Sequence, residues 1–195
     1  MMRFIETIKI ENGIAQNLDL HLERSSKTCL YYFGVKTALP FNTIINEFRS
    51  SHSGGIYKLK IIYTSKIEHF TIEPYQPKIV KSLKIIKGGN IDYSFKYEDR
   101  SELEKLLSLK GECDDIIIIK NGFVTDTSYS NLVFSEGEQF FTPSSFLLNG
   151  TKRKQLLRDG KIIEKEIKIE DISRYSNVFM INSMLDFVQI RRIIE

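Results

Sequence analysis

The sequence has no tryptophan, only 2 cysteines and 4 prolines among its 195 residues, and almost no excess charge. Two cysteines at positions 29 and 113 cannot make a disulfide framework, so the chain must build a conventional core and suits a reducing compartment. The 28 Lys and Arg against 25 Asp and Glu leave +3. This excess is too small and too dispersed for a nucleic-acid footprint, and no acidic tail is present. Apolar runs such as Ile116–Ile119 are far too short to span a bilayer. No charged stretch followed by an apolar one opens the chain, so a cytoplasmic location without a leader is expected. His21, His52 and His69 lack metal-ligand spacing with one another or with the cysteines, and no metal is expected. A G-x-S-x-G elbow, a G-x-x-x-x-G-K-[ST] loop and a G-x-G-x-x-G fingerprint are all missing, which removes the usual support for hydrolase, P-loop and dinucleotide-binding readings. Repeats and low-complexity segments are absent as well.

What is there reads as a globular protein: 42% hydrophobic and 27% charged residues, enough length for one large or two small domains. Phe4, Glu6, Ile8 and Ile10 share one face of a first strand, with Glu6 alone among apolar positions. Asn12-Gly13 predicts a turn, Asp19 a helix N-cap, and Gly34 the end of a helix through Phe33. A second helix over 41–48 and a Ser/Gly-rich stretch over 50–55 precede alternating strands near 57–63, 70–72 and 83–86. Pro74, Pro77 and Gly88-Gly89 place a boundary near residue 88, giving domains 1–88 and 89–195. Ser101-x-x-Glu104 reads as a capping box. Strands are expected at 116–119, 122–124, 132–134, 139–141, 162–167 and 178–181, with helical segments at 151–160 and 169–175. The class is α+β.

The chemistry must come from single residues at turns and element ends. A Lys beyond a strand, an acid on a following hairpin and a helix entered through Gly are the parts a pyridoxal phosphate site requires: an amine for the aldehyde, a carboxylate for the pyridine nitrogen and backbone N–H groups for the phosphate. These residue types are common, and their presence alone decides nothing.

Their order and wording go further. Phe4-Ile5-Glu6-Thr7-Ile8 with His21-Leu22-Glu23-Arg24 resembles the F-E-T…H-L-x-R-L opening of the class IV aminotransferases, the fold type IV pyridoxal-phosphate enzymes. Lys96-x-x-x-Arg100 and Gly111-Glu112-Cys113-Asp114-Asp115 resemble K-x-x-x-R…G-x-D-E, most like the aminodeoxychorismate lyase branch. Gly122-Phe123-Val124-Thr125-Asp126 with Asn131-Leu132-Val133-Phe134 is similar to G-x-V-x-E-x-x-x-x-N-x-F. Leu148-Asn149-Gly150-Thr151-Lys152-Arg153 resembles L-x-G-I-T-R, and Asn182-Ser183 the closing N-[SA] segment. Five such blocks lie in order across nearly the whole chain.

The resemblance implies a two-domain fold like that of D-amino acid aminotransferase, shortened at its N-terminus by the family's usual first strands. It also implies pyridoxal 5′-phosphate as cofactor and a homodimer. Lys96 stands at the Schiff-base lysine and Arg24 at a phosphate-binding arginine. Asp126 stands where the ring-nitrogen acid is normally Glu. Thr151, Lys152 and Ser183 stand at positions that meet the phosphate. Substrate contacts are open: Arg100, Lys60 and Glu6 are candidates, each with an ordinary structural alternative. Asn131 reads more as a turn residue than as a ligand contact. The resemblance implies amino-group transfer between a small amino acid and a 2-oxo acid first, 4-amino-4-deoxychorismate lyase next, and a catalytically silent homologue as a third possibility. Nucleic acid and membrane are not expected partners.

Overall fold

The computed structural model describes residues 2–36, 38–51 and 54–195, which fall into two compact units. The first comprises the chain up to Pro77 together with Phe95–Asp99; the second comprises Lys78–Ser94 and Arg100–Glu195.

In the first unit, β1 (Phe4–Glu11), β2 (Ile14–Ala15), β3 (Ile56–Tyr63) and β4 (Ile67–Pro74) form an antiparallel sheet of order β2-β1-β3-β4. Helices α1 (Leu18–Phe33) and α2 (Phe41–Ser51) accompany it. The β1–β2 hairpin turns through Asn12 and Gly13, both at positive φ (50° and 77°), the pair of conformations a two-residue hairpin of this twist needs. Phe4, Ile8 and Ile10 alternate onto one face of β1 and pack with Cys29, Leu39, Phe41, Ile44, Leu59, Ile61 and Tyr63. Each fully buried Ile, Leu or Phe there contributes roughly 1.5–3 kcal/mol. α1 is entered through Asn17, not Asp19. It ends at Gly34, φ 68°, whose N–H reaches the Leu30 carbonyl while Val35 N–H reaches that of Cys29. Of the Ser/Gly-rich stretch expected at 50–55, residues 52 and 53 lie outside the described residues.

The second unit holds two sheets. β5 (Ser82–Lys87), β6 (Asp115–Lys120), β7 (Phe123–Val124) and β13 (Arg192–Ile194) run in the order β13-β5-β6-β7. β8 (Asn131–Glu136), β9 (Gln139–Pro143), β10 (Ile163–Lys165), β11 (Asn177–Asn182) and β12 (Leu185–Ile190) run in the order β10-β9-β8-β11-β12. Leu83, Ile117, Ile119, Leu132, Phe134, Val178 and Met180 from both sheets form one core. Residues 116–119 are buried throughout, which explains why the middle of β6 is apolar at four consecutive positions instead of alternating. α3 (Ser101–Leu107) follows Arg100 as its N-cap, so the Ser101 capping box is not formed in the expected register. α4 (Thr151–Arg158) packs through Leu156 on Val133 and Ile181, on the other side of the second sheet. Residues 169–174 form a 3-10 turn.

The division at residue 88 does not match these units. β5 pairs in parallel with β6, from Leu83↔Asp115 to Lys87↔Ile119, and so belongs to the second unit. Lys96 belongs to the first, because Phe95–Asp99 is bound to β1: Ile5 N–H donates to the Lys96 carbonyl and Glu98 N–H to that of Arg3, both at 2.9 Å. Among the described residues, no helix is long and apolar enough to cross a membrane.

Candidate active site

The first unit gathers Glu6, His21, Arg24 and Lys96. Glu6 points from β1 toward α1, where His21 and Arg24, three residues apart, share a helical face. Arg24 donates to the fully buried Glu6 carboxylate through Nε (2.8 Å to Oε1) and Nη2 (2.5 Å to Oε2). His21 Nδ1 lies 2.6 Å from Oε2. A carboxylate only accepts, so Nδ1 carries the proton and the imidazole is held in that tautomer. Burial acts to raise the Glu6 pKa and is the largest influence, yet the Arg24 charge and the bonds from Arg24 and His21 together bring it down to about 2. Burial pushes His21 below its ordinary value against the pull of Glu6, and the charges of Arg24 and Lys96 add to that fall. The cluster therefore holds a carboxylate, a guanidinium and a neutral imidazole.

Half-buried Lys96 sits between two aromatic anchors. Phe95 and Tyr97 pack on Phe4 with ring centroids 6.3 and 5.5 Å away, and Tyr97 Oη bonds Tyr32 Oη at 2.8 Å. These contacts fix the backbone on both sides of the lysine. Lys60 is exposed; it pairs with Thr7 on β1 and Thr71 on β4, which puts it on the sheet face opposite Glu6.

The second unit gathers Asp126, Asn131 and the start of α4. Asp126 and Asn131 form an isolated bridge that closes a tight loop, held by Thr127 Oγ1, which accepts from Ser130 N–H at 3.0 Å. The buried Asp126 carboxylate accepts from Asn131 Nδ2 (2.8 Å, Oδ1) and from the N–H groups of Leu147 (3.1 Å) and Leu148 (2.9 Å, both Oδ2). Burial still dominates and pushes its pKa up to about 6, against these bonds and the charge of Arg153. Gly150 enters α4 in an extended conformation (φ −64°, ψ 148°), and the first turn that follows carries N–H groups with no partner inside the helix. A Cβ on Gly150 would lie 2.1 Å from Asn131 Oδ1, so any larger residue there would displace the Asn131 amide.

Thr151 is buried in that first turn, and Lys152 pairs with Asp186 at 2.6 Å. The pair brings the start of β12 to α4, and with it the β11–β12 turn that contains Ser183. Asn182 shapes this turn: its Oδ1 accepts from Met184 and Leu185 N–H, and its Nδ2 donates to Ser130 Oγ at 2.9 Å. Asp126, Thr151, Lys152 and Ser183 are thus collected in one unit. Arg100 donates from Nη2 to the Ser128 carbonyl at 2.8 Å and lies over the Tyr93 ring at 5.9 Å, which gives it a structural post. Glu6 likewise spends both carboxylate oxygens on Arg24 and His21.

Sequence reasoning named the Gly entry to the helix, quoted His21 and Arg153 only within matched segments without a role for either side chain, and assigned Asn131 to its turn. Arg153 is almost wholly buried, stacked 4.2 Å over Phe146, and bonded to the Pro143 carbonyl, Asn149 and Glu164. The available signal was a charged residue on an apolar face: Glu6 on β1 demanded a buried cation, and the His21/Arg24 spacing supplies one.

A profile described as Amino-transferase class IV matches residues 100–193. A Haemophilus influenzae protein of undescribed activity is 37% identical over 185 residues, covering 94% of this chain and 98% of its own. A Haemophilus somnus crystal structure named "putative 4-amino-4-deoxychorismate lyase" is 38% identical, with TM-score 0.84, over 94% of this chain and 97% of that one. A Mycobacterium tuberculosis structure named as a hypothetical aminotransferase in its PLP-bound form is 14% identical, with TM-score 0.78 over 98% of this chain and 81% of that one. At that identity the likeness concerns the fold.

Proposed function

The chain belongs to the class IV aminotransferase family, and from that premise we propose that it is a pyridoxal-phosphate-dependent enzyme in which Lys96 carries the amine chemistry. The observation that carries this reading is Asp126: a buried carboxyl, hydrogen-bonded by three donors yet still driven toward its neutral form, is an acid that gains by meeting a cation. A protonated pyridine nitrogen is such a cation. The other parts fit the same group. The first turn of α4, entered through Gly150, offers N–H groups and the positive end of a helix to a phosphate. The Arg24 guanidinium is fixed in place by Glu6, and a planar, permanently charged fork is the side chain suited to a phosphate.

Under this reading Lys96, Arg24, Asp126, Thr151, Lys152 and Ser183 would hold the cofactor. When bound, pyridoxal phosphate supplies an aldehyde that condenses with amines and a protonated ring that draws electron density from the bond being broken. Asp126 would keep the proton on the ring nitrogen. Lys96 Nζ would take the proton from the substrate Cα and return it where the reaction requires. The neutral His21 avoids a further positive charge near that amine.

Of the two reactions, we place elimination of pyruvate from 4-amino-4-deoxychorismate first, because the structure similar over almost both full lengths carries that name. Transamination between a small amino acid and a 2-oxo acid is second; it needs the same six residues and is the activity after which the family is named. Lys60, on the sheet face opposite Glu6 and Arg24, is given no part in substrate binding, and a homodimer is part of this reading.

The test begins with pyridoxal phosphate and borohydride: mass spectrometry should find the reduced adduct on Lys96, and its absence there would end the proposal. Aminodeoxychorismate should then give pyruvate and 4-aminobenzoate. Conversion of cofactor by amino acids without that cleavage would reverse the order of the two reactions.

A further inference from the structure

Asn131 does more than close its own turn. A turn residue bonds the backbone near it. Asn131 Nδ2 instead donates to the Asp126 carboxylate and to the Leu148 carbonyl, 17 residues along the chain, both at 2.8 Å. Leu147 and Leu148 N–H in turn donate to the other oxygen of Asp126. The amide, the carboxylate and the 147–148 backbone thus form a closed set of four hydrogen bonds, two residues before Gly150 and the first turn of α4. Its space is reserved as tightly as its bonds: the missing Cβ of Gly150 is the volume that Asn131 Oδ1 fills, at 2.1 Å from where that atom would stand.

We propose that Asn131 is a positioning residue for Asp126, tying the carboxylate to the backbone that enters α4 so that acid and helix start are held at one fixed separation, with Gly150 leaving the room this requires. The inference rests on the reading of Asp126 as partner of the pyridine nitrogen. It gives that reading a physical basis for an acid one methylene shorter than Glu. The reach of Asp126 is set by what holds it, because a short side chain has few conformations of its own with which to compensate. A ligand gripped at its phosphate by α4 and at its ring nitrogen by Asp126 would be measured end to end by this bracket.

The experiment compares pyridoxal phosphate with its 1-deaza analogue, in which carbon replaces the ring nitrogen. Dissociation constants are measured by absorbance titration for wild type, Asn131→Ala, Gly150→Ala, the double variant and Asp126→Ala. Wild type should prefer pyridoxal phosphate, and Asp126→Ala should abolish the preference. Asn131→Ala should cut it about tenfold, the lower end of what losing an outer-shell partner costs at a liganded site, while affinity for the analogue changes little. Gly150→Ala should reproduce the loss, because its Cβ evicts the amide. In the cofactor-free proteins, urea unfolding should show Gly150→Ala strongly destabilised in the wild-type background and much less so beside Asn131→Ala. A preference that Asp126→Ala abolishes but Asn131→Ala leaves intact overturns the positioning role alone. Equal weakening of both ligands by Asn131→Ala does the same, by making the residue merely structural, and strict additivity in urea refutes the shared space. If wild type shows no preference, the reading of Asp126 fails and the positioning role fails with it.

Discussion

Asp126 makes a pH prediction whose sign is unusual for an acid. Burial lifts its pKa from an ordinary 3.8 to about 6 in the cofactor-free protein. The folded state therefore binds more protons than the unfolded chain between those two values, and stability falls as pH rises through that window. At 1.36 kcal/mol per pH unit, the penalty is complete above about pH 6 and amounts to about 3 kcal/mol. Asp126→Asn is nearly isosteric and cannot ionise, so it removes the window. Its amide turns an N–H toward one of the donors that now face the carboxylate, at a cost of roughly 1–3 kcal/mol that does not vary with pH. The slope is thus the quantity to read, not the offset. In urea titrations of cofactor-free protein followed by circular dichroism from pH 4 to 7.5, the free energy of the variant minus that of wild type should grow by roughly 2–3 kcal/mol, the small remainder of the penalty being already present at pH 4 and nearly all of the growth lying below pH 6.5. Parallel curves would refute the reasoning: Asp126 would then ionise at its ordinary value, and the claim that it stands ready for a cation would lose its basis.

Glu6 has the opposite sign. Its pKa near 2 stabilises the fold fully above the ordinary value of 4.5, and that contribution is lost as pH falls toward 2. Glu6→Gln should therefore cost about 3–5 kcal/mol at neutral pH, because Arg24 and His21 lose a buried partner. It should also shrink the acid-induced loss of stability, and an unchanged acid midpoint by circular dichroism would contradict this. Arg153→Lys should lower unfolding free energy in urea by about 2–3 kcal/mol, since an ammonium cannot serve Pro143, Asn149 and Glu164 from one plane while stacking on Phe146. A change below about 0.5 kcal/mol, the range of an ordinary surface substitution, would show that the fork is dispensable.

Local signals were the legible part of this fold. Asn12-Gly13, Gly34 and the buried run 116–119 carry their conformations in their own chemistry, and the hairpin, the helix end and β6 lie where that chemistry puts them. Partnership was not legible. The strand at 83–86 has the same pattern whichever sheet it joins; its parallel pairing with β6 crosses α3 and cannot be read from alternation. β12 and β13 escaped for a related reason. Leu185–Ile190 buries only its two ends, so it has no apolar face to announce it, and Arg192–Ile194 is a three-residue edge strand.

The candidate site divides along the same line. Lys96, Arg24 and Asp126 can be picked out because each sits in a worded segment, but a motif says nothing about what holds its residues. Glu6 illustrates the limit. As a carboxylate in an apolar strand it could have faced a substrate or a buried cation, and the energies decide between them: an unpaired buried carboxylate costs several kcal/mol, whereas a forked guanidinium one helix turn from a hydrogen-bonding imidazole offsets that cost before any ligand arrives. The same reasoning separates Asp126 from Glu6. Both are buried and both accept three bonds, but Glu6 has a full positive charge in contact, while Asp126 has amide donors and only the more distant charge of Arg153. The first is a satisfied pair. The second has no contacting cation among the described residues, and that difference, invisible in two carboxyl letters of a sequence, is the physical reason to seek the ring nitrogen at Asp126 and not at Glu6.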